Sequence, residues 1–272
     1  MESKAINHES SRARWQAYRR RPLSLLLRLA VTVSAAITVF VLIALVAYIL
    51  IKGIPNLRLS LFAWEYTSEN ASMLPAIINT ITMTVLSLLM AVPVGICSAI
   101  YLVEYAKRGN KLVSLVRVTA ETLQGIPSIV YGLFGFLFLV VACKFGYSLL
   151  SGAITLAIMI LPLILRTTEE ALKAVPDLYR EGSFGLGAGR LRTVFRIVLP
   201  SAVPGILAGV ILAIGRIVGE TAALIYTSGT VAGVPDTLMG SGRTLAVHMY
   251  ALLSNGLYTE EAYATAVVLL VM

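Results

Sequence analysis

From Leu29 to Ile51 the chain runs for 23 residues without one charged side chain. A helix rises about 1.5 Å per residue, so about 20 apolar residues cross the hydrocarbon core of a bilayer. Inside lipid each backbone N–H and C=O must find its partner within the protein, and a single segment does this only as a helix. Seven Lys/Arg lie between Lys4 and Arg28 ahead of this run, against Glu2 and Glu9. A cleaved leader would have an apolar core of roughly 7–15 residues and a small-residue cleavage site. This core is longer and is followed by Lys52-Gly53-Ile54-Pro55. The expectation is an uncleaved membrane helix over 29–51 behind a basic cytoplasmic segment, 1–28.

Further apolar blocks come after it. The second spans Ala71 to Val103, with Pro75 at its start and Pro93 inside. The third spans Val118 to Cys143, interrupted by Glu121 and broken near Gly125-Ile126-Pro127. The fourth is Phe145 to Leu165, with Pro162 near its end, and the fifth runs from Ile197 to about Tyr226, with Arg216 and Glu220 inside. The last, Ala262 to Met272, is 11 residues and too short to span, so the final helix reads as truncated or as stopping inside the bilayer. Six crossings are expected. The chain is 58% hydrophobic and 13% charged, about half the charge of a soluble domain.

Charge placement orients these blocks. With the N-terminus inside, segments 1–28, 104–117 and 166–196 carry 7, 4 and 6 Lys/Arg. The opposite side holds only Lys52, Arg58, Lys144 and Arg243. Seventeen against four is the bias that cytoplasmic loops show. It also explains the net charge of +8 without nucleic acid, because no basic surface interleaved with aromatic residues is present. Segment 227–261 falls outside, where Arg243 to Leu257 suits a short surface helix. Cys97 and Cys143 sit singly in apolar runs, and His8 and His248 are the only histidines. No metal cluster, disulfide framework or cofactor is expected.

The segment between the fourth and fifth blocks is the most specific. Pro176-Asp177 suits a helix start, with a carboxylate at the positive end of the helix dipole. Gly187 suits its end, where a residue at positive φ closes the last turn. Between them Tyr179, Phe184 and Leu186 stand beside charges. Glu181-Gly182-Ser183, three positions, Gly187, nine positions, then Ile197-Val198-Leu199-Pro200 resembles the coupling motif of ABC-importer permeases. That family usually has two alanines where Gly182 and Ser183 stand. Gly125-Ile126-Pro127-Ser128-Ile129-Val130-Tyr131-Gly132 and Gly219-Glu220-Thr221-Ala222-Ala223 are similar to phosphate-specific permeases of the A type. The likeness covers residues 29 to 272.

The resemblance implies an all-α, polytopic protein of six transmembrane helices with the type I, MetI-like permease fold, its permease domain over 71–272. It implies a multi-pass protein of a bacterial cytoplasmic membrane that moves inorganic phosphate inward. Glu181, Gly182, Ser183, Phe184, Gly187, Leu199 and Pro200 would form the ATPase-coupling loop. The implied partners are a second, C-type phosphate permease, a dimer of cytoplasmic ATP-binding subunits, an extracytoplasmic phosphate-binding protein and membrane lipid. The chain has no G-x-x-x-x-G-K-[ST] loop, since no glycine precedes a lysine, and this agrees with energy supplied by a partner.

Arg216 and Glu220 are four apart and, on a continuous helix, share one face. A charge near the bilayer centre costs about 2.5–3.5 kcal/mol on insertion scales, so it faces protein or a water-filled path. The two are expected on the substrate path or gate, with Glu121 and Arg166 at the cytoplasmic interface as further candidates. A mutual ion pair that only fixes packing is the plainer alternative. Gly205, Gly209 and Ala213 form a small-residue stripe that suits close helix packing, in this chain or against a second subunit. The same machine could carry sulfate, molybdate or phosphonate. An intramembrane enzyme would need a catalytic constellation in the bilayer, and both histidines lie outside it. A mere scaffold would leave Arg216 and Glu220 without a purpose.

Overall fold

The computed structural model describes residues 22–107 and 109–272. The basic segment therefore lies outside the described residues up to position 21, as does Arg108. The chain divides into two units, Met1–Lys52 and Gly53–Met272. In the first, helix α1 spans Pro22–Gly53, and Leu29, Phe40 and Ile43 are exposed along it. It begins well before Leu29 because Arg28 interrupts the apolar run without breaking the helix.

The second unit opens with two 3₁₀ turns, Ile54–Asn56 and Leu59–Phe62. Helix α2, Leu74–Ile100, has Pro75 in its first turn, where no N–H is missed, and ends in a π turn at Tyr101–Tyr105. Then come α3 (Lys111–Gln124), α4 (Ser128–Gly135, extended as a π helix over Phe136–Ala142) and α5 (Leu149–Lys173). The short helices α6 (Asp177–Gly185) and α7 (Arg190–Thr193) lead through a π segment, Val194–Val198, into α8 (Leu199–Val218). Helices α9 (Ala222–Thr227), α10 (Leu245–Asn255) and α11 (Thr259–Val271) complete the chain.

Helix α5 is the axis of the second unit. Its Leu156, Met159, Ile160 and Ile164 are fully buried among Met83 of α2, Tyr131 of α4, Ala213 and Ile217 of α8 and Leu224 of α9. Lipid is as apolar as leucine, so packing and small residues hold such helices together. Gly95 of α2 lies where a Cβ would come 2.8 Å from Ile164. Gly205 and Gly209 of α8 lie against Ala171 and Thr167 of α5. The small-residue stripe thus packs within this chain, and Ala213 is buried with it.

Among the described residues four helices are long and apolar enough to cross a membrane, or five if α3 and α4 count as one span bent by 101°. The third block is therefore two helices at an angle. Helix α3 runs antiparallel along the last half of α5: Arg117 Nε meets Glu169 at 2.7 Å, and Arg166 Nη1 meets Glu121 at 3.5 Å. Gln124 Nε2 donates to Pro162 O at 3.0 Å. The fourth block ends at Leu165 by hydropathy, yet its helix continues to Lys173 because α3 supplies partners for its charges. The last apolar run lies in α11, whose 13 residues reach about 20 Å, short of the ~30 Å core.

Segment 227–261 folds back onto α2 instead of lying free. Asn79 Nδ2 donates to Gly233 O at 3.0 Å and to Arg243 O at 3.2 Å, and Leu245 N donates to Thr80 Oγ1 at 2.8 Å. The expected surface helix exists as α10, but Leu245, Val247, His248 and Leu252 bury one face of it. Arg243 is buried too, its guanidinium 4.5 Å from the centre of the Tyr66 ring.

His248 is fully buried, and its pKa is lowered to about 3, chiefly by burial and then by the charge of Arg243, with the Ala71 backbone opposing. The folded imidazole therefore stays neutral while the unfolded one takes a proton below about pH 6.5. The unfolded state binds more protons in that window, so stability falls as pH drops from about 6.5 toward 3. The expected loss at pH 5 is about 2 kcal/mol. Thermal melts between pH 7.5 and 5 should show this slope, and His248→Gln should flatten it. An unchanged slope in the variant would rule the residue out as its source.

Candidate functional site

Two constellations emerge, one outside the bundle and one within it. The outer one is α6. Pro176, at ψ 138°, stands just before its first turn, which Asp177 opens. At the other end Ala188 N donates to Ser183 O at 3.1 Å and Gly187 N to Phe184 O at 2.9 Å, while Gly187 has φ +82°. These two bonds close the last turn and turn the chain sharply, which a side chain with a Cβ resists. Ser183 Oγ lies 2.8 Å from Thr193 Oγ1 and ties α6 to α7.

Arg180 holds the base of this helix. Its Nη2 donates to Glu104 Oε1 at 2.8 Å and to Leu172 O at 2.9 Å. Its Nη1 reaches Val175 O at 2.8 Å and Asp177 Oδ1 at 3.2 Å. The Arg180 and Glu104 side chains are only 15% and 9% exposed. One planar guanidinium thereby joins α6 to the end of α5 and to the π turn after α2. Sequence reading missed this pair, because 76 residues separate its members.

The outer face of α6 and the turn after it present Leu178, Tyr179, Phe184 and Leu186, all exposed, with Glu181 and Gly182 exposed among them. Leu199 is half-buried and Pro200 exposed at the start of α8. A Cβ at Gly182 would meet nothing within 4 Å. Gly182→Ala should therefore stabilise the isolated chain by about 0.5–1 kcal/mol through helix propensity. A lower melting temperature for this variant would show that α6 is not helical in the protein.

The inner constellation joins the two stretches that resemble phosphate-specific permeases. At the 101° bend Tyr131 OH donates to Leu123 O at 2.8 Å, so α4 closes the end of α3. One residue on, a Cβ at Gly132 would come 2.8 Å from Ala223 Cα and 3.1 Å from Ala223 O. Helices α4 and α9 therefore touch backbone to backbone.

The shared helix face expected for Arg216 and Glu220 does not exist. Helix α8 stops at Val218, and Gly219 ends it before Glu220. Glu220 is buried and turns to α9, where its Oε1 accepts from Ala223 N at 3.0 Å. A carboxylate at a helix start satisfies an otherwise orphaned N–H. No ion pair joins it to Arg216 among the described residues. Arg216 is half-buried, within electrostatic reach of Tyr131. Glu121 and Arg166 do meet, but both are about half exposed, beside Arg117, Glu169, Glu170 and Lys173 in a cavity of about 150 Å³.

A bundle of apolar helices, broken inside and carrying one anchored amphipathic helix on its basic end, defines a polytopic α-helical membrane protein. Residues 91–272 match the model of the binding-protein-dependent transport system inner membrane component, and the chain belongs to that family. It is 32% identical over 251 residues to a probable ABC transporter permease protein, YqgI, of Bacillus subtilis (strain 168), covering 85% of this chain and 83% of that one. It is 41% identical over 179 residues to the phosphate transport system permease protein PstA of Pasteurella multocida (strain Pm70), covering 65% of this chain and 63% of that relative. The fold is shared with a bacterial ABC transporter involved in the import of the acidic polysaccharide alginate, at a TM-score of 0.60 and 18% identity over 94% of both chains.

Proposed function

We propose that this chain is the membrane-spanning permease subunit of an ATP-binding-cassette importer that carries inorganic phosphate into the cytoplasm. The observation that carries the proposal is α6. Four large apolar side chains stand exposed on a short helix whose base is locked by a buried arginine. A rigid, exposed apolar patch is what a separate protein docks on. The identity with phosphate permeases supplies the substrate. The basic loops face the cytoplasm in this proposal, with α6 seated in a dimer of ATP-binding subunits. A second, C-type permease completes the membrane pathway, and a phosphate-binding protein delivers substrate from the far side.

On the pathway, Arg216 is the phosphate contact, because a guanidinium fork donates two parallel hydrogen bonds to such an oxyanion. Glu220 shapes the wall beside it by fixing the start of α9. Glu121 and Arg166 form an ion pair at the cytoplasmic mouth, where an opening between α3 and α5 would part them.

Labelled phosphate uptake into vesicles containing this chain with its partners tests the proposal. Uptake should require ATP and should persist in excess sulfate, molybdate or phosphonate. ATP-driven uptake of labelled sulfate, molybdate or phosphonate in place of phosphate would reassign the substrate. ATP hydrolysis by the purified chain alone would overturn the division of labour.

A further inference from the structure

A cavity of about 650 Å³ opens between the end of α2, the start of α3 and the end of α5. Lys107, Lys111, Arg117 and Lys173 line it, and no acidic side chain does so among the described residues. Glu169 lies just outside and answers two of these charges, at 2.7 Å from Arg117 and 2.6 Å from Lys173. Lys107 and Lys111 are exposed, and no carboxylate pairs with them among the described residues. The rest of the wall is largely apolar, including the buried Leu102 and Val113. Beside the rim, Leu112 and Leu115 of α3 are 69% and 61% exposed, as suits a helix side that faces lipid or a neighbouring apolar surface.

We infer that this cavity holds the headgroup of an anionic phospholipid from the leaflet at the basic end of the bundle. The ligand must offer a negative phosphodiester to unanswered lysines and an apolar body to the wall behind them. A lipid at the membrane boundary offers both. Free phosphate offers only the charge and would leave the apolar wall against water. Basic recesses between helices on this side of a membrane suit such headgroups. The site is separate from Arg216 and from the exposed face of α6. It adjoins the recess at the base of α6, with which it shares Val103, Ala106, Lys107 and Lys173. A bound lipid there would brace the joint between α2, α3 and α5.

Binding is read without transport, so the result is independent of the substrate. The purified full chain is given phosphatidylglycerol or phosphatidylethanolamine, and retained lipid is measured by native mass spectrometry. The expected result is preferential retention of phosphatidylglycerol. Each lysine near an anionic surface contributes about a factor of five, so Lys107→Gln with Lys111→Gln should weaken retention roughly thirtyfold. Lys107→Arg with Lys111→Arg should restore it, and thermal melts should show all three proteins equally folded. Equal retention of both lipids, or undiminished phosphatidylglycerol on the glutamine variant, would overturn the inference. So would displacement of the lipid by millimolar inorganic phosphate, which would assign the cavity to the free anion.

Discussion

Replacing Arg180 with glutamine is expected to free α6 from the bundle and stop transport while the chain remains in the membrane. The guanidinium serves Glu104, Asp177 and the carbonyls of Leu172 and Val175 at once. Removing one member of a buried pair leaves the other charge uncompensated, at about 3–5 kcal/mol. Glu104 is the one left, since its side chain is only 9% exposed. Lysine should not rescue the site, because one ammonium group cannot span acceptors arranged around a planar fork. The double variant Arg180→Gln with Glu104→Gln should cost less than the sum of the singles, with an interaction energy of about 0.5–3 kcal/mol. Vesicle uptake, membrane abundance and ATPase activity of the assembled importer read the outcome. Normal ATP-driven uptake by Arg180→Gln would show that anchorage of α6 is not needed for coupling.

Gly132→Val is expected to cause a comparable loss from inside the bundle. Even the Cβ of alanine would stand 2.8 Å from the Ala223 backbone, which cannot rotate aside as a long side chain would. Overpacking of this kind costs about 1–3 kcal/mol, and valine adds two more carbons in the same place. The displacement should carry α9 away from Glu220, whose carboxylate caps it at 3.0 Å. Both melting temperature and uptake should fall, more for valine than for alanine. Gly125→Ala on the same bend is the control. Its Cβ would meet only Thr122 O, at an ordinary 3.5 Å, so it should behave nearly as the parent. Equal behaviour of Gly125→Ala and Gly132→Ala would refute the close contact of α4 with α9.

Several features were legible in the chain because their causes are local. Twenty-three uncharged, mostly apolar residues in a row can only be a helix in lipid, and α1 covers them. Pro176-Asp177 and Gly187 bound α6 through backbone geometry that those residues carry wherever they occur. Tyr179, Phe184 and Leu186, standing beside charges in a short connecting helix, were already readable as exposed, and they are exposed. The break near Gly125-Ile126-Pro127 was equally visible as a break.

The angle of that break was not legible, nor was the direction taken by the helix beyond it. Hydropathy averages over a window, so a straight span and two helices at 101° read alike. For the same reason Arg216 and Glu220 read as neighbours on one helix, although Gly219 ends that helix and Glu220 turns to cap the next. Spacing predicts a shared face only while the backbone stays helical between the two residues. The small residues of α8 announced a close contact, but which helix would fill it depended on Thr167 and Ala171 arriving from α5. The chain by itself thus determined the apolar helices and the bounds of α6, because backbone hydrogen bonding and turn chemistry are properties of consecutive residues. Tertiary structure alone decided that Arg180 would find Glu104 and Gly132 would meet Ala223, because those contacts depend on the packing of segments remote in sequence.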